Sequence, residues 1–105
     1  MLIQINTDNH IENSAASIAH FSEVIKEILG RYEEYITRID AFLSDENGDK
    51  KSGADKKCTI EVKVKSANPV VVSTIENTLH QAVKFATEKA ALIMDKSLTK
   101  KRVQS

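Results

Sequence analysis

Apolar residues fall on two different periods along this chain, and the switches between them mark its elements. Met1-Leu2-Ile3-Gln4-Ile5-Asn6 is a short apolar run that reads as a first strand, followed by a turn at Asp8-Asn9-His10. Apolar positions then recur as Ala15, Ile18, Phe21, Ile25, Ile28 and Tyr32, at spacings of three and four. That is one face of an amphipathic helix. Asn13 and Ser14 before it are residue types that cap helix N-termini, because their side chains accept from otherwise orphaned backbone N–H groups. Gly30 weakens the helix near its end and leaves the boundary spread over several residues.

From Ile36 the period becomes two. Ile39, Ala41 and Leu43 alternate with Arg38, Asp40 and Phe42, the pattern of a strand with one buried face. The Asn47-Gly48 pair then signals a turn, and Gly53 extends the break to about Lys57. Cys58, Ile60, Val62 and Val64 alternate with Thr59, Glu61, Lys63 and Lys65 in a third strand. Ser66-Ala67-Asn68-Pro69 turns the chain into a fourth strand, Val70 to Ile75, whose proline entrance suits an edge. Thr78-x-x-Gln81 is a capping-box pattern opening a second helix. Its expected apolar stripe is Leu79, Val83, Ala86, Ala90 and Ile93, widened by Ala82, Phe85 and Leu92.

The order is therefore β-α-β-β-β-α, an α+β fold. Both helices must bury their stripes on one face of a four-stranded mixed sheet. The strand–helix–strand crossover should make strands 1 and 2 parallel, and strands 2 to 4 should form an antiparallel meander. The second sheet face, with Arg38, Thr59, Glu61, Lys63 and Lys65, should meet water or a partner. A length of 105 residues suits one domain, taken as residues 1–98, with a basic tail at 99–105.

Charge changes the picture more than composition does. The formal net charge is zero, yet residues 1–55 carry 11 acidic and 5 basic side chains, and residues 56–105 carry 4 and 10. The basic half ends in a lysine-bearing helix and the run Lys100-Lys101-Arg102, which points to an anionic partner such as nucleic acid. The competing reading is an ordinary solvated helix face. Aromatics are few and Trp is absent, which argues against a base-stacking platform. No apolar stretch is long enough to span a membrane, and the N-terminus lacks the basic start of a secretion signal. The lone Cys58 fits a reducing cytoplasm.

Catalytic chemistry finds little support. His10, His20 and His80 are scattered without metal-ligand spacing, and the three glycines form no phosphate-binding loop. His20 falls on the flank of helix 1 and His80 in the first turn of helix 2, both read as structural or solvated. Cys58 has the parity of a core residue. Asp45-Glu46-Asn47-Gly48-Asp49 lacks the closing glutamate of a calcium loop and reads as a charged hairpin. The expectation is a protein that is not an enzyme, with no cofactor, metal or small-molecule substrate.

With this order in hand, the chain resembles the ribosome hibernation-promoting factor and ribosome-associated inhibitor family over almost its whole length. The marks are Asp8-Asn9-His10-Ile11-Glu12, then Arg31-Tyr32-x-x-Tyr35-Ile36-x-Arg38-Ile39. Leu43-Ser44-Asp45-Glu46-Asn47-Gly48-Asp49-Lys50, Asp55-Lys56-Lys57-Cys58 and Thr78-Leu79-His80-Gln81-Ala82-Val83 with Glu88-Lys89 follow in order. The resemblance implies a fold like that of double-stranded-RNA-binding domains. It also implies a cytoplasmic factor that binds the small ribosomal subunit in the mRNA and tRNA channel, blocking translation or protecting idle ribosomes. By motif position Arg31 and Lys89 are its basic contacts to ribosomal RNA. Lys84, Lys96, Lys100, Lys101 and Arg102 join them as RNA-binding candidates from helix geometry and charge. Familiar members carry another lysine where Ile28 stands and an arginine–glutamine pair at Leu92-Ile93, so fewer phosphate contacts are expected here. Long members add a C-terminal dimerisation domain that pairs ribosomes; with the sequence stopping at Ser105, pairing through such a domain is not expected here. The alternative is a protein-interaction module of the same fold that has lost ribosome binding.

Overall fold

A computed structural model describes residues 1–8, 11, 14–46 and 55–104, with side chains described through Leu98. The elements are β1 (Leu2–Thr7), α1 (Ala15–Leu29), a 3₁₀ turn (Gly30–Tyr35), β2 (Ile36–Asp45), β3 (Lys56–Val64), β4 (Val70–Glu76) and α2 (Leu79–Gln104). Both helices start where a side chain can satisfy a free N–H. Ser14 Oγ accepts from the Ser17 N–H at 3.1 Å, and Thr78 Oγ1 accepts from the Gln81 N–H at 3.1 Å. Asn13 and the turn residues Asn9, His10 and 47–54 lie outside the described residues. At Gly30 the chain keeps a right-handed conformation and tightens into the 3₁₀ turn.

The sheet runs in the order β1-β2-β3-β4, with β1 parallel to β2 and the other two pairings antiparallel. Its register stacks the inward residues into rungs: Ile3–Ile39–Val62–Val70, Ile5–Ala41–Ile60–Val72 and Thr7–Leu43–Cys58–Thr74. Ile39, Ile60, Val62 and Cys58 have no exposed surface. Each such aliphatic side chain contributes about 1.5–3 kcal/mol by leaving water. A register slip between Ile36 and Arg38 bends the start of β2, where Thr37 Oγ1 donates to the Lys63 carbonyl.

Helix α1 buries Phe21, Ile25 and Leu29, and Tyr32 continues the stripe from the 3₁₀ turn. Ile28, expected on that stripe, is half-buried, and Leu29 takes the inner position. The correction at α2 is larger. Ala82, Val83, Ala86, Thr87, Ala90, Ala91 and Met94 face the core, whereas Phe85, Leu92 and Ile93 are 37%, 62% and 42% exposed. The helix packs through its small residues, which bring its axis close to the sheet. Of its bulkier apolar side chains, Val83 and Met94 are buried, while Phe85, Leu92 and Ile93 are left on the outside.

The segregated charges meet across the β2–β3 hairpin. Lys56 Nζ lies 3.4 Å from Asp45 and 2.7 Å from Asp55, and Lys57 Nζ lies 3.7 Å from Glu46. Contact with Asp55, then Asp45, raises the Lys56 pKa above its ordinary value against the opposing pull of burial. The acids of the first half and the bases of the second are thus partly spent on each other.

Candidate nucleic-acid interface

Two cross-links fix the helices side by side. His20 on α1 meets His80 in the first turn of α2, Nε2 to Nδ1, at 3.0 Å. Further along, the Tyr32 hydroxyl donates to Asp95 Oδ1 at 3.2 Å. Early residues pair with early and late with late, so the helices run parallel. The 5.1 Å separation of the imidazole centroids nearly equals the hydrogen bond plus the two ring radii. The rings therefore meet edge to edge through one N–H and one lone pair, and do not stack. Their 60-residue separation gave no sign of this contact in the sequence.

Arg31 sits in the 3₁₀ turn with its guanidinium 4.8 Å from the Tyr32 ring centroid, a cation–π contact that holds it at the helix boundary. It lines an open groove of about 530 Å³ between α1 and α2, together with Glu27, Ile28, Glu88, Ala91 and Leu92. Two carboxylates therefore share the groove with this one arginine. Lys89 lines a second open groove, of about 640 Å³, on the other flank of α2, against Ile75 and Glu76 of β4. Lys96, two turns further on, lies on the same flank as Lys89. Lys84 is about 140° round the helix from Lys89, in line with Glu88. All four are exposed, and Lys84, Lys89 and Lys96 make no ion pair with another described residue. Helix α2 continues through residues 100–102, but the side chains of Lys100, Lys101 and Arg102 lie outside the described residues.

The named bases thus occupy both flanks of α2, separated by a crest carrying the exposed Leu92, with Glu27, Glu88 and Asp95 among them. Freely projecting lysines suit backbone phosphates, which position a partner without reading its sequence. Other exposed bases, not among the RNA-binding candidates, include Lys26 on α1, Lys63 in β3 and Lys65 just after it.

The outer sheet face behaves differently. Arg38 bonds Asp40 through Nε at 2.9 Å and Nη2 at 3.0 Å, and also donates to Gln4. The hydrogen bonds from Arg38 hold the Asp40 carboxyl below its ordinary range despite burial, and raise the Arg38 pKa in return. That arginine is committed internally. Among the described residues no three His, Cys, Asp or Glu side chains gather as a metal centre. No described helix is long and apolar enough to cross a membrane.

No family model matches the chain, and no curated protein matches it by sequence. Solved structures do match. The Protein Y N-terminal domain of Thermus thermophilus aligns with a TM-score of 0.69 at 17% identity, covering 88% of this chain and 93% of that one. A ribosomal subunit interface protein from Coxiella burnetii aligns with a TM-score of 0.70 at 17% identity, covering 94% and 99%. The chain therefore has the fold of the Protein Y N-terminal domain, β-α-β-β-β-α with both helices on one face of a four-stranded mixed sheet.

Proposed function

We propose that this protein is a cytoplasmic ribosome-associated factor. It occupies the mRNA and tRNA channel of the small subunit and blocks translation or protects idle ribosomes, by steric occupancy and without catalysis. The observation that carries the reading is the fold, shared over nearly the full chain with a ribosomal subunit interface protein. The exposed Lys84, Lys89 and Lys96, which pair with no acid among the described residues, support it, with Arg31 presented at the end of α1. Lys100, Lys101 and Arg102 extend the same helix. RNA would be bound through its backbone, so affinity depends on salt.

The test is cosedimentation with purified small subunits over a salt series, comparing wild type with Lys89→Glu/Lys96→Glu. Each lost phosphate contact lowers the log–log salt slope by about 0.7–0.9. The double variant should bind on the order of tenfold more weakly at low salt. Binding indifferent to both changes and to salt refutes this contact surface.

A further inference from the structure

Strand β4 is the terminal strand of the sheet, and no described strand lies along its outer edge. Proteins normally blunt such edges with lysines, internal prolines or bulges. Here the sequence is Val70-Val71-Val72-Ser73-Thr74-Ile75-Glu76, uncharged until its last residue. On the opposite edge, β1 turns Leu2 (57% exposed) to the outer face with the polar Gln4 and Asn6; β4 turns Val71, Ser73 and Ile75, with Val71 59% and Ile75 47% exposed, so its apolar pair flanks a central serine. Above the same border, α2 projects Phe85 and Ile93, with Lys89 midway between them. Four large apolar side chains are left uncovered along one side of the molecule.

The occupant that fits is a second copy of this chain, because the pattern is palindromic. An antiparallel β4 centred on Ser73 sets Val71 beside the second copy's Ile75, and Ser73 opposite its own counterpart. The helix obeys the same symmetry. Thr74 Oγ1 donates to the Ala82 carbonyl near the start of α2, whereas Val70 shares a small cavity with Met94 and Leu98. So α2 runs antiparallel to β4, and Lys89 lines one groove with Ser73, near the middle of the strand. A two-fold axis through that level brings Phe85 against Ile93 of the second copy. With strands about 4.8 Å apart and α2 seated over β3 and β4, the two α2 axes fall roughly 10 Å apart, an ordinary helix-packing distance. Charge permits the approach. Glu76, Glu88, Lys89 and Lys96 cancel on each copy; Lys89 meets Lys89 at the axis with Glu88 beside each, and Lys96 comes toward the Glu76 end of the other copy.

We propose that the protein forms a two-fold dimer in which the β4 edges pair antiparallel about Ser73. The two sheets become one, and the α2 helices pack against each other through Phe85 and Ile93. The dimer does not depend on the ribosomal reading. Where both hold, it covers Lys89, so dimer and RNA-bound monomer exclude one another.

Sedimentation velocity of the full chain over a concentration series, at low and high salt, should show a reversible monomer–dimer equilibrium in the micromolar range. Its constant should move by less than about threefold with salt, unlike a phosphate contact. Ser73→Cys should give a disulfide-linked dimer on mild oxidation, since residues facing across an antiparallel pair lie within disulfide reach. Thr59→Cys, one strand inward on the same face, should stay unlinked. Val71→Lys/Ile75→Lys, both at exposed positions, should be folded and monomeric. A monomer at about 0.5 mM, a Ser73→Cys protein that does not cross-link, or a lysine variant that stays dimeric would each overturn the proposal. Should the lysine variant fail to fold, the Ser73→Cys result decides alone.

Discussion

Removing one oxygen at Tyr32 tests how the helices are tied. The ring is 5% exposed and its hydroxyl emerges to donate to Asp95 Oδ1 at 3.2 Å. A hydrogen bond to a charged acceptor contributes about 1.5–3 kcal/mol. This one is long and its acceptor lies on the exposed side of α2, so about 1 kcal/mol is the appropriate value. Tyr32→Phe keeps the ring in the core and beneath the Arg31 guanidinium, and leaves Asp95 free to solvate. It should lower Tm by roughly 5 °C in a chain of this size. Tyr32→Ala removes the ring as well and should cost about 3–5 kcal/mol.

The pH dependence sharpens the test. Burial first, and then the Asp95 hydrogen bond, raise the Tyr32 pKa above its ordinary value of 10.0. A native state that holds this proton more tightly gains stability fully below the ordinary value, and loses it as pH rises through the raised one. Urea denaturation of wild type and Tyr32→Phe at pH 7, and in steps above about pH 10, should show a gap that narrows as pH climbs. A double-mutant cycle with Asp95→Ala should return a coupling of about 1 kcal/mol. If Tyr32→Phe matched wild type at pH 7 and the two curves stayed parallel through alkaline pH, the tie would be energetically silent.

Two further outcomes follow from local geometry. Burial pushes the Cys58 thiol up to about 12, so native protein should resist a thiol-specific reagent at pH 8 (ordinary Cys value about 8.5) and react fully in denaturant; rapid native labelling would contradict the packing of that rung. Gly30 has φ −58° and open space where a Cβ would stand, so Gly30→Ala should stabilise the protein by about 0.4–1 kcal/mol. A lower denaturation midpoint would mean that the α1-to-3₁₀ junction needs glycine for another reason.

The meander was legible because the sheet buries one face only: Cys58, Ile60 and Val62 carry the period of two without interruption. The helix caps were legible because Ser14 and Thr78 act within three residues of themselves. The inner face of α2 is only partly legible: Ala82, Val83, Ala86 and Ala90 are buried as the spacing predicts, whereas Phe85, Leu92 and Ile93 are not, for a physical reason. Its sequence holds two apolar stripes, a bulky one through Phe85, Leu92 and Ile93 and a small one through Ala82, Ala86 and Ala90. Periodicity counts both alike, and close approach to the sheet selects the small one. The charge asymmetry was real but ambiguous, since it records partners within the chain, Lys56 with Asp45 and Asp55, as well as charges left free for an anion. The exposure of Arg31, Lys89 and Lys96 follows from their places off the apolar stripes. Their distribution over two flanks of α2 depends on how the helix is rotated, which no linear pattern specifies.

The closure of the β2–β3 hairpin has a practical corollary. The Glu46 N–H donates to the Asp55 carbonyl at 2.8 Å, and ion pairs from Lys56 and Lys57 sit at the same end, so the strands are joined before the connecting segment begins. The length of that segment is then nearly a free parameter, since doubling it costs only about 0.6 kcal/mol in closure entropy. A fluorophore or affinity handle spliced between Glu46 and Asp55 should leave the domain folded.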